Sequence, residues 1–254
     1  MKVFFAFCKK ELVESVRTYR LLIMLITFVI LGIMSPLVAK MLPDILKNAD
    51  LGGMTLTIPE PTAFDSWTQF YSNMGQMGML IMIVVFGGIT AQEFSKGTLV
   101  NILTKGVRRS TVVVSKYLVA SVIWTLSYVV AFAVTYAYTV YYWGSEKLPH
   151  AVLAFSGPWV YGLLLLALLV LGGILFKSFY GSLSLAGGAV VLMTLVHLAP
   201  KLQKYNPISL AGDALGLLNK QKVPADFTPA LMVCLALTLG CLVASVLIFN
   251  RKQL

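Results

Sequence analysis

Charge is what this 254-residue chain has least of. Only 12% of its residues are Asp, Glu, Lys or Arg, against 58% that are hydrophobic, and the mean hydropathy is +0.85. A soluble domain carries about a quarter charged residues and cannot bury this much apolar surface at this length, so an aqueous globular fold is excluded. Acids are scarcest, 10 against 20 bases, and none lies between Glu93 and Glu146 or between Glu146 and Asp213. Ion-coupled secondary transporters place Asp, Glu or a broken helix at mid-membrane, and neither that signature nor an inverted repeat is visible. Histidines number two, and an intramembrane enzyme finds no paired His, H-E-x-x-H or paired acidic motif. No G-x-x-x-x-G-K-[ST] loop is present to cradle a nucleotide phosphate. The glycine pairs at 52–53, 87–88, 172–173 and 187–188 lack the following Lys. Of the three cysteines, Cys234 and Cys241 lie seven residues apart, ~10.5 Å along one helix and too far to bond. No metal site is expected: Met74, Met77, Met79 and Met82 cluster, but methionine serves more often as adaptable packing than as a thioether-only ligand set.

What the chain has instead is length of apolar run. Crossing ~30 Å of hydrocarbon takes ~20 residues of helix, and the gaps between charges hold six such segments, at about 19–40, 69–92, 113–143, 153–176, 179–199 and 229–249. The fold class is therefore an all-α polytopic membrane protein. No cleavable signal peptide is expected, because the opening apolar patch, Val3 to Cys8, is too short and is followed by Lys9, Lys10 and Glu11. Residues 1–18 are expected to form an amphipathic interfacial helix, with Val3, Phe4, Phe7, Leu12 and Val16 toward lipid and the bases toward headgroups. With six spans, thirteen of the 20 bases and three of the 10 acids fall on the side of the termini, a net +10, and the opposite side is neutral. That asymmetry fits the positive-inside rule. Both termini are expected in the cytoplasm, membrane lipid is the partner of the basic face, and nucleic-acid binding is not implied.

The loop between the second and third spans is denser in charge than a tether requires. It reads "EFSKGTLVNILTKGVRRSTVVVSK", and Leu99, Ile102 and Leu103 fall on one side of a helix bounded by Gly97 and Gly106. Two readings of that helix stand side by side: a docking surface for a partner, or a helix resting on headgroups. The last outer segment, 200–228, and the first, 41–68, are long and partly apolar, which suggests short re-entrant or interfacial helices. Tyr141, Tyr142 and Trp143 sit where an outer aromatic belt belongs. For the deeper Tyr128, lining a path and capping polar backbone are both open. His197 is the one ionisable side chain well inside a span, and a structural hydrogen bond suits it better than a proton relay.

This loop pattern resembles the signature of permease subunits of type-2 ABC exporters, in Glu93, Gly97, Thr98, Leu99, Leu103, Arg108, Arg109 and Lys116. The opening "KKELVESVRTYR" resembles the family's amino-terminal helix, and six spans in about 250 residues match its layout. Where the family usually has a proline after the loop helix, this chain has Gly106. The resemblance implies a multi-pass protein of the bacterial plasma membrane that pairs with a second permease subunit. A separate ATP-binding subunit would bind ATP and Mg²⁺, leaving no cofactor and no enzyme activity in this chain. Glu93, Gly97, Thr98, Leu99, Leu103, Arg108 and Arg109 would couple to that ATPase through the loop helix. The first, second and fifth spans would meet at the dimer interface, where Ser72, Asn73, Gln76 and His197 are candidates for a cargo path, and Tyr128 of the third span is a further candidate. With no fixed charge in those spans, the expected cargo is hydrophobic or amphipathic, an antimicrobial or amphipathic peptide for example. A permease for sodium or metal-related cargo and an ion-coupled transporter are the alternatives.

Overall fold

The computed structural model describes residues 2–48, 60–95, 97, 104, 106–145 and 148–252. Among them the chain is helical throughout, with six helices long and apolar enough to cross a membrane. An amino-terminal helix, Lys2–Arg17, precedes span 1, Arg20–Asn48. Span 2, Ala63–Phe94, is built of shorter pieces, and span 3 runs Arg109–Trp143. Span 4 is Ala151–Phe176, span 5 Phe179–His197 and span 6 Pro224–Arg251. Three one-turn helices, Pro200–Gln203, Ser209–Gly212 and Leu215–Leu218, fill the connection between spans 5 and 6.

Local chemistry explains the breaks. The amino-terminal helix stops at Arg17, and Tyr19 takes a positive φ of 59° that turns the chain into span 1. Span 2 opens with Thr62 and Asp65 closing on each other: the Thr62 N–H and its hydroxyl both donate to the Asp65 carboxylate at 2.8 Å. An acid in the first turn also complements the helix dipole. Spans 4 and 5 are joined by Lys177 and Ser178 alone. Lys177 sits at φ 52°, and the Ser178 hydroxyl accepts from the Gly181 N–H at 3.0 Å.

Span 4 is the hub. Most of its apolar window, 72%, is buried by the protein, against 11% for span 5 and 17% for span 6, so the last two are peripheral and present their outer faces to lipid or another chain. Lipid removes the hydrophobic driving force between helices, leaving close packing and hydrogen bonds to hold the bundle. Both are present. A Cβ at Gly162 would lie 2.4 Å from the Trp124 ring, and one at Gly32 would lie 2.8 Å from the Ala131 carbonyl oxygen. Span 3 is tied to span 1 by the Thr135 hydroxyl donating to the Gly32 carbonyl at 3.0 Å, and to span 2 by Ser66 and Thr139 at 2.7 Å. Toward the side away from the termini, Trp67, Phe70, Phe132 and Phe155 form an aromatic core with centroids 4.5–6.5 Å apart.

The amino-terminal helix does not use all its apolar residues as the sequence suggests. Phe7, Glu11 and Ser15 form the face buried against the protein, whereas Val3, Phe5, Leu12 and Val16 are exposed. Phe7 therefore points inward: at i, i+4 and i+8 it shares a stripe with a carboxylate that needs a partner in span 3.

Candidate functional site

Two features stand out, one at each end of the bundle. The first lies on the side of the termini and begins with a lysine inside an apolar helix. Lys116 sits two turns into span 3 and is 1% exposed, where an unpaired ammonium would be very costly. Its Nζ lies 2.9 Å from Glu11 Oε2 and 3.1 Å from Glu93 Oε1, and these carboxylates are themselves 2% and 4% exposed. Lys10 completes the cluster, with Nζ 2.8 Å from Glu11, 2.9 Å from Glu14 and 2.5 Å from Glu93. Beside it, the buried Arg20 donates to Gln92 Oε1 at 2.7 Å. Three carboxylates thus face three cations, and the amino-terminal helix, the end of span 2 and the start of span 3 are fastened at one point.

The electrostatics follow the contacts. Burial by itself would lower the Lys10 ammonium, but its hydrogen bonds with Glu11, Glu93 and Glu14 outweigh that and hold it above the ordinary lysine range. For Glu14 burial would raise the carboxyl, and the Lys10 hydrogen bond and charge outweigh it and hold the carboxyl below its ordinary range. Oxygen atoms of Glu11, Glu14 and Glu93 come within 4.8 Å of one another, as in a metal site. The Lys10 ammonium touches all three, and so serves as the cation of that group.

Two turns before Lys116, at the start of span 3, Arg109 turns toward the end of span 6. Its Nη1 donates to the carbonyl oxygens of Phe249, Asn250 at 3.1 Å and Lys252 at 2.7 Å. Lys252 in turn donates to Ile174 and Leu175 at the end of span 4, at 2.6 and 2.7 Å. Basic groups on the orphan carbonyls of helix ends satisfy both their hydrogen bonds and their dipoles. Arg108 is exposed at the start of span 3, and Gly97 and Gly106 both take positive φ, 64° and 81°, a conformation glycine adopts without strain. Thr98, Leu99 and Leu103 lie outside the described residues.

The second feature is a cavity of about 700 Å³ in the half of the bundle away from the termini. It is walled by residues 68–83 of span 2, Tyr161 and Leu165 of span 4, Gly187 and Val190 of span 5, and residues 208–215 of the outer connection. One wall contains a π-helical turn, Met74–Gly78, closed by Met79 N–H to Met74 C=O, a feature frequent at functional sites.

Of the five residues that the sequence suggests for a path, the cavity takes two, Ser72 and Gln76. Asn73 donates to Ser35 Oγ at 3.0 Å and ties span 2 to span 1. Tyr128 donates to the Phe155 carbonyl at 2.8 Å, so it caps polar backbone. His197 lies at the outer end of span 5, with Nε2 3.9 Å from Asp213 Oδ2, which Lys222 holds at 2.6 Å. Sequence reasoning did not single out Glu11, Lys10, Tyr71 or Tyr161 as site residues, nor Lys116 as the hub. Lys116 carried a readable signal, since a lysine that deep in an apolar helix requires a buried acid.

The bundle of six long apolar helices defines a polytopic, all-α membrane protein. Residues 14–196, most of the chain, match the profile of the ABC-2 family transporter proteins, and the chain belongs to that family, the transmembrane component of ABC transporters. It is also 27% identical over 140 residues to an uncharacterized transmembrane protein, YxlG, of Bacillus subtilis (strain 168). That match covers 54% of this chain and 54% of the relative, so the chain spans about half the length of the curated relative it matches.

Proposed function

We propose that this chain is the permease subunit of an ATP-driven exporter that moves a hydrophobic or amphipathic cargo, such as an amphipathic peptide, out of a bacterial cell. Two permease subunits embedded in the plasma membrane, with both termini in the cytoplasm, work with ATP-binding subunits that hold ATP and Mg²⁺. The observation that carries this reading is the position of Glu93. It stands where the 96–105 loop leaves span 2, and the buried Lys116 bridges it to Glu11 of the amino-terminal helix. A load applied to that loop by an ATPase has a rigid route into span 3 and the amino-terminal helix, because pulling one member of a buried ion cluster away strands the others. In this reading Leu99 and Leu103, by their spacing in the sequence, are the apolar contacts offered to the ATPase, and Gly97 and Gly106, both at positive φ, are turns on either side of them.

The test is a double substitution, Leu99→Asp with Leu103→Asp. It should leave the permease inserted and folded while abolishing its co-purification with the ATP-binding subunit. Unchanged association and cargo export would remove the loop from the coupling role.

A further inference from the structure

The connection between spans 5 and 6 builds a second recess on the side away from the termini. Leu192, Met193 and Val196 of span 5, Leu202 and Tyr205 of the connection and Leu237 of span 6 line an apolar groove of about 300 Å³. Leu192, Leu202 and Tyr205 are 64%, 49% and 53% exposed, so the groove lies open on the surface of the bundle. Two amides fix its wall. Asn206, itself buried, donates to the Met193 carbonyl at 2.6 Å, and Gln203 donates to the His197 carbonyl at 2.9 Å. Both carbonyls belong to the last two turns of span 5, so hydrogen bonds hold the connection against that helix.

Charge stands directly beside the groove. Lys201 precedes Leu202, Lys204 precedes Tyr205, and both lysines are exposed. At a spacing of three on one helical turn they are neighbours. Neither has an ion-pair partner among the described residues. Residues 198–228 carry four bases against two acids, and both acids are engaged. Lys222 holds Asp213 at 2.6 Å, and Asp226 accepts from the Val223 N–H at 3.4 Å at the head of span 6.

We propose that this groove binds an anionic glycerophospholipid of the leaflet away from the termini, with one acyl chain in the groove and the phosphate on Lys201 and Lys204. Long basic side chains lay their stems on apolar surface and hold the charged head at the interface, and basic sites beside apolar helices select anionic headgroups. The cation of a zwitterionic headgroup would meet the same two ammonium groups, which disfavours it. A two-fold dimer centred on the groove would set one lysine pair against the other. The proposal requires only that the chain spans a membrane, and it is independent of the export reading.

The experiment uses the full-length permease in nanodiscs of equal parts phosphatidylcholine and phosphatidylglycerol. Parallel samples carry a trace of one lipid or the other with a diazirine at the end of one acyl chain, and crosslinks are mapped by mass spectrometry. The face of span 3 around Val129, 52% exposed, is the reference. At residues 189–196 and at Leu237 the ratio of phosphatidylglycerol to phosphatidylcholine labelling should exceed the reference ratio on the order of tenfold, as two lysines beside a phosphate allow. Lys201→Gln with Lys204→Gln should return that ratio to the reference value while acyl labelling of the groove persists. Val196→Trp, a widening at a position 43% exposed, should remove the labelling of Leu192 and Leu237 with the melting temperature unchanged. Equal ratios at the groove and at Val129 in the unaltered protein, an excess that survives the double glutamine change, full groove labelling in the tryptophan variant, or crosslinks joining two copies across the groove would each overturn the proposal.

Discussion

Replacing Lys116 by Met removes the hub of the ion cluster at nearly constant volume. In the native protein its ammonium, 1% exposed, bridges Glu11 at 2.9 Å and Glu93 at 3.1 Å. Without it two buried carboxylates are left to share Lys10, and removing one partner of a buried pair costs about 3–5 kcal/mol. At about 2–4 °C per kcal/mol for a chain of this size, the melting temperature should fall on the order of 10 °C. The assay is thermal unfolding of the purified protein in mild detergent. Hydrogen exchange should show the loosening concentrated in residues 3–16 and 91–95, leaving the aromatic core protected. Neutralising Glu93 at the same time, Lys116→Met with Glu93→Gln, restores charge balance and should recover about 1–3 kcal/mol relative to the sum of the single changes. A single variant that melts within about 2 °C of the native protein, or a double variant equal to that sum, would refute the argument that this cluster fastens the amino-terminal helix.

Three further outcomes follow from named contacts. The Glu14 carboxyl is depressed in the folded state, so its stabilisation is complete above its ordinary range of about 4.3 and lost as pH falls through the lower folded value. Lys10 is raised, so its contribution is complete below about 10.4 and lost only as pH rises through the higher folded value. Exchange protection of the amino-terminal helix should therefore be flat from about pH 5 to 9 and fall on acidification below about pH 4, the fall being smaller in Glu14→Gln. Arg109→Ala strips the cap from three carbonyls at the end of span 6 and should cost about 1–3 kcal/mol, with fraying of residues 248–252 in exchange experiments. Gly162→Ala places a methyl 2.4 Å from the buried Trp124 ring and should destabilise by about 1–3 kcal/mol and shift that tryptophan's emission. Each is checked against the same thermal assay, and an unchanged midpoint counts against the contact named.

How much of this was legible beforehand differs sharply between kinds of feature. The all-helical fold and its six long apolar helices could be read from the chain, because the cost of putting charge or bare backbone into hydrocarbon is local and large. Hydropathy adds along a segment, and about twenty residues suffice to decide it. Glu93, Arg108 and Arg109 could be picked out as unusual for the same reason: they are charges beside long uncharged runs.

Their partners were another matter. Arg109 reads as a loop base, and only the approach of span 6 turns it into a cap on Phe249 and Lys252. Glu11 and Lys116 are 105 residues apart, and the pairing depends on the amino-terminal helix lying across span 3 with Phe7 and Ser15 on its inner stripe. Nor does a uniformly apolar helix announce its inward face, which is why Ser72 and Gln76 reach the cavity while Tyr128 ends on a carbonyl of span 4. The sequence by itself determined that the chain is an all-α membrane protein with six helices long and apolar enough to cross, since that follows from solvation free energies summed over short stretches. Only the tertiary structure decided which charges neutralise one another, which helix sits at the centre and where an open apolar cavity remains, because those depend on which faces of distant helices meet.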